Sequence, residues 1–302
     1  MRHAIVGAGA IGGLIAAALT RAGSEALLLM RQESLEGYEG RLAVESAVLG
    51  NFEVDVPAVS ILDREVDVLW VTPKATQLEP ALTLAPPDLV GNAIVIPLMN
   101  GIDHLALLRA RYPHVVAGAI RVESERVSPT RIRQRSPFVV VELAGADPVA
   151  AELRAAGLDC RTRADEQTLL WGKLAFLAPL ALATTALDAP LGSVRNDTRF
   201  QGCTSEVVAV AVAEGATVDE DRLRALQEAA PGEMRSSMQK DVEAGRPPEL
   251  DAIAGPILRG GKRHGVGVPH TEELVRLVAA RYGAQSPVDT GPLAPARSSR
   301  TT

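Results

Sequence analysis

Six residues near the start of the chain, Gly7-Ala8-Gly9-Ala10-Ile11-Gly12, restrict its fold more than any other feature. They form a GxGxxG pattern between a short apolar run at residues 3–7 and an Ala- and Leu-rich stretch at 11–22 that Gly23 closes. Alone the pattern is weak. Placed between a strand and a helix it has a mechanism. Gly7 permits a tight turn, Gly9 lets the backbone approach a pyrophosphate, and Gly12 allows close packing of helix on strand. The helix start, spanning Ala8, Ala10 and Ile11, presents N–H groups and a positive dipole end to an anion. The bland alternative, a glycine-rich helix start without a ligand, is disfavoured by both flanking elements.

Downstream, strands and helices continue to alternate, which predicts a parallel sheet covered on both faces. Apolar strands are expected at residues 26–31, 66–72 and 93–98, with helical segments to about residue 84 and at 102–112. Residues 41–56 flank Leu49-Gly50-Asn51 with β-like runs and read as an antiparallel hairpin inserted in that sheet. Further strands are expected at 115–122, 130–135 and 139–143. Beyond about Arg163 strand signals vanish, and helical periodicity occupies 165–187, 203–214, 219–226, 233–244, 249–264 and 271–282. The expected fold class is therefore α/β: a Rossmann-type, doubly wound, dinucleotide-binding domain over 1–163, then an all-helical domain over 164–283. Residues 284–302, rich in Pro and Ser without apolar periodicity, read as a disordered tail.

Composition narrows the function classes. With 302 residues, 47% of them apolar, two cores are affordable. Lys and Arg are scattered and the net charge is −6, so no nucleic-acid surface is expected. The two cysteines, Cys160 and Cys203, form no CxxC pair, and the histidines show no metal-ligand spacing. No metal site is expected, and a cytoplasmic location fits this cysteine usage. Residues 169–187 are apolar enough to raise the question of a membrane span, but they carry Lys173 and Pro179 and have no companion. A buried helix is the better reading.

The end of the second strand discriminates between nicotinamide cofactors. Asp or Glu there would take the ribose hydroxyls, whereas this chain has Met30-Arg31, suited to a 2′-phosphate and hence to NADP(H). The alternative is a surface Arg31 with Glu33 as the ribose acceptor. Lys74 and Asn100 follow predicted parallel strands, at the sheet edge where ligands bind. A solvated lysine and an ordinary Asn-Gly turn are their open alternatives.

Lys173 is the only charged side chain between Leu169 and Leu187. Facing a cleft, it would suit a general acid that protonates a carbonyl oxygen; near a helix start, it would suit a reach back to Asp165 or Glu166. Glu249, following Pro247-Pro248, favours the positive end of a helix whatever else it does. Ser236 and Ser237 suit a helix start equally well.

Taken together, these pieces resemble the ketopantoate reductase (2-dehydropantoate 2-reductase) family over roughly residues 1–282. GAGAIG at 7–12, MR at 30–31, VTPKATQ at 71–77, NG at 100–101, WGKL at 171–174, SSMQKDV at 236–242 and PELD at 248–251 stand in the family's order. The resemblance implies an NADPH-dependent oxidoreductase of pantothenate biosynthesis that reduces a small carbonyl substrate. It implies that Arg31 and Lys74 hold the cofactor, that Ser124 meets it through its backbone, and that Asn100 contacts cofactor and substrate. Lys173 would be the proton donor, Ser237 would bind the substrate's carboxylate end, and Glu249 would sit beside cofactor and pocket. A homodimer is an open expectation for the assembly.

One departure stands out. Where the family carries asparagines four and eight residues after the lysine, and another further on, this chain has Leu177, Ala181 and Leu191. The first two share the helix face of Lys173, so the substrate grip loses hydrogen-bonding amides while the proton donor is kept. The expected reaction is reduction of a 2-oxo acid, ketopantoate or a more apolar relative. The alternatives are a reductase of a different ketone in a specialised pathway and a non-catalytic NADP(H)-binding sensor, which would have no use for Lys173.

Overall fold

A computed structural model describes residues 1–283 and Val288. The expected tail otherwise lies outside the described residues. Contacts divide the chain into two compact units: Met1–Met99 with His104–Leu169, and Asn100–Asp103 with the chain from Leu170 onward. The division after Leu169 falls six residues beyond the sequence-based boundary, inside a helix, and the short segment at 100–103 belongs to the second unit.

The first unit opens with β1 (Arg2–Val6), β2 (Glu25–Leu29), β3 (Arg41–Ser46) and β4 (Gly50–Asp55). Next come β5 (Ala58–Val59), β6 (Val68–Val71), β7 (Ile94–Pro97) and β8 (Gly118–Arg121). Last are β9 (Ser124–Ser128), β10 (Arg131–Gln134), β11 (Val140–Leu143) and β12 (Asp159–Thr162). Five of them form an all-parallel sheet in the order β5-β2-β1-β6-β7. Such a sheet is buried on both faces, which is why its strands read as unbroken apolar runs. Ile5, Leu28, Val68, Trp70 and Ile96 point into one apolar cluster with the helix Ala10–Arg21. Their neighbours Ala4, Val6, Leu27, Leu29, Leu69 and Val71 point into another, with Leu82, Leu108 and Tyr112. The chain winds outward from β1 in both directions, so a topological switch point lies at the carboxyl ends of β1 and β6.

The hairpin at 41–56 forms, with β3 and β4 antiparallel, but it is not inserted in the parallel sheet. It lies in a separate four-stranded sheet, β4-β3-β10-β9, in which β3 pairs parallel with β10. The reason lies in Arg41-Leu42-Ala43-Val44-Glu45, where large apolar residues alternate with small or charged ones and burial alternates with them. Only Leu42 and Val44 face a core, so the strand suits a sheet with one solvated face. Its turn is Ala47–Leu49, shaped by Ser46 Oγ accepting from Leu49 N at 2.9 Å and by Gly50 at φ +76°. Among the elements without a sequence-based assignment are β9, the helix Asp147–Ala155 and β12, which joins β11 and β8 in a third sheet.

Among the described residues, none beyond Thr162 is in a strand. The second unit is built on Glu166–Leu187 beyond the division, Leu191–Val194, Thr198–Ala213, Glu220–Ala229, Ser237–Glu243, Leu250–His264 and Pro269–Tyr282. Trp171, Phe200, Val207, Ile257 and Leu274 lie in its apolar core, which also takes in Val288. Glu166–Leu187 is long and apolar enough to cross a membrane, yet 72% of its most apolar window is buried inside the protein. It is a core helix. Cys160 and Cys203 are unpaired and buried, and burial pushes their thiols up to about 11 and about 12.

Candidate active site

The glycine loop joins β1 to the helix Ala10–Arg21. Gly7 has φ +96°, and a Cβ there would lie 2.5 Å from Pro73 N and 2.7 Å from the Thr72 carbonyl carbon. At Gly12 a Cβ would collide with Gly7 O and Thr72 Oγ1. Both positions need glycine because β6 and the loop after it press against the turn. Gly9 differs: a Cβ would meet nothing nearer than Gly7 O at 3.9 Å. The helix behind it has no side-chain cap and no acidic residue in its first turn. Open space over Gly9 at an uncapped helix N-terminus suits a pyrophosphate.

Two cations flank this turn. Arg31 and Lys74 are exposed just past the carboxyl ends of β2 and β6, the two strands that pair with β1. With strands about 4.8 Å apart, they stand on either side of the glycine loop. Among the described residues Arg31 makes no ion pair, so its guanidinium is not committed to a carboxylate of its own unit. Ser124, the first residue of β9, places its hydroxyl 3.4 Å from Ala10 O.

Sequence reasoning missed Thr72. Its buried hydroxyl lies 2.7 Å from Gly7 O and 3.1 Å from Val6 O, pinning the loop to β6. A threonine between a buried strand and Lys74, opposite the glycine turn, was the available signal.

The second unit gathers the remaining candidates. Asn100 Nδ2 donates to Glu249 Oε2 at 3.2 Å, joining residues 149 positions apart in sequence. Glu249 is buried and is the N-cap residue of Leu250–His264, one position outside the helix in which the sequence had placed it. Lys173 is half-buried on Glu166–Leu187. The carboxylates offered as its alternative partners are engaged within the first unit: Asp165 accepts from Thr168, and Glu166 from Arg109 at 2.6 Å. The two serines divide in role. Ser236 caps Ser237–Glu243, accepting from Gln239 N at 3.0 Å and sharing a 2.9 Å hydrogen bond with Thr184. Ser237, the first helical residue, is exposed.

On the face of Lys173, Leu177 is half-buried against the apolar core, and Ala181 is fully buried. Leu191, 1% exposed, lies in the same core, and its N–H donates to Met234 O at 2.9 Å.

Comparison with known proteins places the chain in a family. Residues 3–145 match the family described as ketopantoate reductase PanE/ApbA, and 165–282 match its C-terminal domain. A 2-dehydropantoate 2-reductase of Mycobacterium tuberculosis is 32% identical, over 92% of this chain and 96% of its own. The chain belongs to the ketopantoate reductase family. It is thus an oxidoreductase with a nicotinamide cofactor and a small-molecule substrate, and its family's chemistry is reduction of a 2-oxo acid to the 2-hydroxy acid.

Two solved structures share the fold. The ketopantoate reductase family chain from Geobacter metallireducens, a 2-dehydropantoate 2-reductase, superposes with a TM-score of 0.83 at 28% identity, covering 93% of this chain and 99% of its own. A D-mandelate dehydrogenase, in a ternary structure with NADH and anilino(oxo)acetate, superposes with a TM-score of 0.84 at 25% identity, covering 94% and 99%.

Proposed function

We propose that this chain is an NADPH-dependent reductase of a 2-oxo acid whose side chain is apolar. The observation that carries the substrate half is the run of positions after Lys173. Leu177, Ala181 and Leu191 stand where the family resemblance leads one to expect asparagines, and they pack with the apolar core. A site without these three amides has fewer groups to reward a substrate hydroxyl, and apolar surface favours an apolar substituent. The D-mandelate dehydrogenase relative, which holds an aryl-bearing oxo acid derivative, supports the same direction.

The cofactor half rests on Arg31 and Lys74 beside an uncapped helix start. Arg31 presents a guanidinium where a 2′-phosphate would lie, and Gly9 leaves room for the pyrophosphate. The bound nicotinamide supplies the hydride that the carbonyl carbon of the 2-oxo acid takes up. Lys173 Nζ gives a proton to the carbonyl oxygen as its π bond breaks, and recovers one from solvent. The products are the 2-hydroxy acid and NADP⁺. In this scheme Asn100 orients the carbonyl, Ser237 receives the carboxylate end, and Glu249 holds the Asn100 amide. Ser124 supports the glycine loop from β9. A cytoplasmic location and a homodimeric assembly complete the proposal.

The test is consumption of NADPH or NADH with a panel of 2-oxo acids, with the product identified as the 2-hydroxy acid. Turnover with NADPH at a kcat/KM at least tenfold that with NADH is the expected outcome. A preference for NADH would overturn the role of Arg31, and no turnover with any 2-oxo acid would overturn the whole reading.

A further inference from the structure

Asn100–Asp103 belong by contact to the second unit, although β7 before them and the helix His104–Arg111 after them belong to the first. All four residues are held by Leu250–His264, by its cap or by the core it helps to form. Asn100 donates to the cap residue Glu249. Gly101, at φ +79°, lies so close to the helix that a Cβ would collide with Ala252 O. Ile102 packs against the core that contains Leu250, Ile253 and Ile257. Asp103 Oδ2 accepts from Arg259 Nη2 at 2.5 Å.

The helix is shaped to receive them. Pro256 has no N–H to offer the Ala252 carbonyl one turn back, and it is this carbonyl that Gly101 approaches. Arg259 is 7% exposed at its side chain and also donates through Nη1 to Asp251 Oδ1 at 2.8 Å. Gly255 provides the slot, since a Cβ there would collide with the guanidinium and lie 2.6 Å from Asp251 Oδ1. A buried guanidinium is costly unless paired, and here two carboxylates pair it. Its charge-assisted bonds are stronger anchors than the longer Asn100–Glu249 bond.

We infer that Arg259 is a positioning residue for the reaction: by clamping Asp103 it holds the four-residue strap, and so sets the Asn100 amide against Glu249. The Arg259 backbone lies roughly 15 Å along the helix from the cap, at 1.5 Å of rise per residue, and its guanidinium reaches back over Gly255 to Asp251 and Asp103. The inference rests on the proposed role of Asn100 at the reacting carbonyl.

A double-mutant cycle tests it, with Asn100→Ala, Arg259→Met, Asp103→Asn and the paired variants, read as kcat and KM for the 2-oxo acid. Arg259→Met should lower kcat/KM about thirtyfold, mostly through kcat, with Arg259→Lys recovering part of the loss. In the Asn100→Ala background the same change should cost less than about twofold, because coupled residues are non-additive. A full, additive loss in that background would overturn the clamp while leaving the site reading intact, as would unchanged kinetics with only a lower melting temperature. An Asn100→Ala variant with unaltered kcat/KM would overturn the site reading itself. Should Arg259→Met fail to fold, Asp103→Asn carries the same cycle, since its side chain is partly exposed and keeps its volume.

Discussion

The glycine loop of the first unit and the Asn100–Glu249 corner of the second are built in opposite ways. The loop is continuous in sequence. Gly7, Gly9 and Gly12 lie within six residues, and the strands that bring Arg31 and Lys74 alongside are the immediate neighbours of β1. The corner is discontinuous. It draws on a four-residue strap, an apolar helix and a helix cap separated from the strap by 149 positions. A phosphate group is recognised by backbone geometry, which a short motif can encode. A carbonyl and its substituent are recognised by side chains, which only tertiary folding assembles. The loop therefore tolerates little change, and the corner is where a family can exchange one substrate for another.

Predictions follow this contrast from the largest effect downward. Lys173→Ala should reduce kcat by about a hundredfold or more while cofactor affinity, measured by fluorescence titration, stays within about twofold. Equal losses in both would break the comparison. Gly12→Ala should do the reverse. The collision with Gly7 O and Thr72 should weaken cofactor binding by about thirtyfold, as overpacking of 1–3 kcal/mol implies. Arg31→Ala should raise the Kd of NADPH by roughly 10- to 100-fold and leave that of NADH nearly unchanged, the range expected for a lost charge-assisted bond. An equal effect on both cofactors would instead favour Glu33 as the ribose partner.

Smaller effects sharpen the comparison. Leu177→Asn returns one amide to the face of Lys173 and should shift the kcat/KM ratio toward hydroxyl-bearing 2-oxo acids by about tenfold. No shift would place Leu177 outside the substrate's reach. Thr72→Val removes the hydroxyl that pins Gly7 and should cost about fivefold in cofactor affinity, with Thr72→Ser restoring most of it. A failure of serine to rescue would assign the effect to packing alone.

How much could be read from the sequence follows the same division. The parallel sheet and its glycine turn were legible because strands buried on both faces leave unbroken apolar runs. The hairpin was legible as a pair but not in its sheet, because Ala43 between Leu42 and Val44 blurs the contrast between the buried and the solvated face. The helix Asp147–Ala155 had a signal, Pro148 in its first turn followed by Val149, Ala150 and Leu153 at helical spacing. The edge strand β9, Ser-Glu-Arg-Val-Ser, had none, since nothing in it is buried. At the site, Lys173 and Asn100 were candidates from their positions with alternatives left open, and the family resemblance was what gave them and Glu249 definite roles. The contributions of Asp103 and Arg259 depend on contacts that no local pattern encodes.

The central claim is that the exchange of amides for Leu177, Ala181 and Leu191 redirected the site toward an apolar 2-oxo acid. The most direct measurement is the ratio of kcat/KM for phenylglyoxylate to that for ketopantoate, with NADPH and the wild-type chain. A ratio of about ten or more is expected. A ratio below one, with ketopantoate turned over efficiently, would contradict the account.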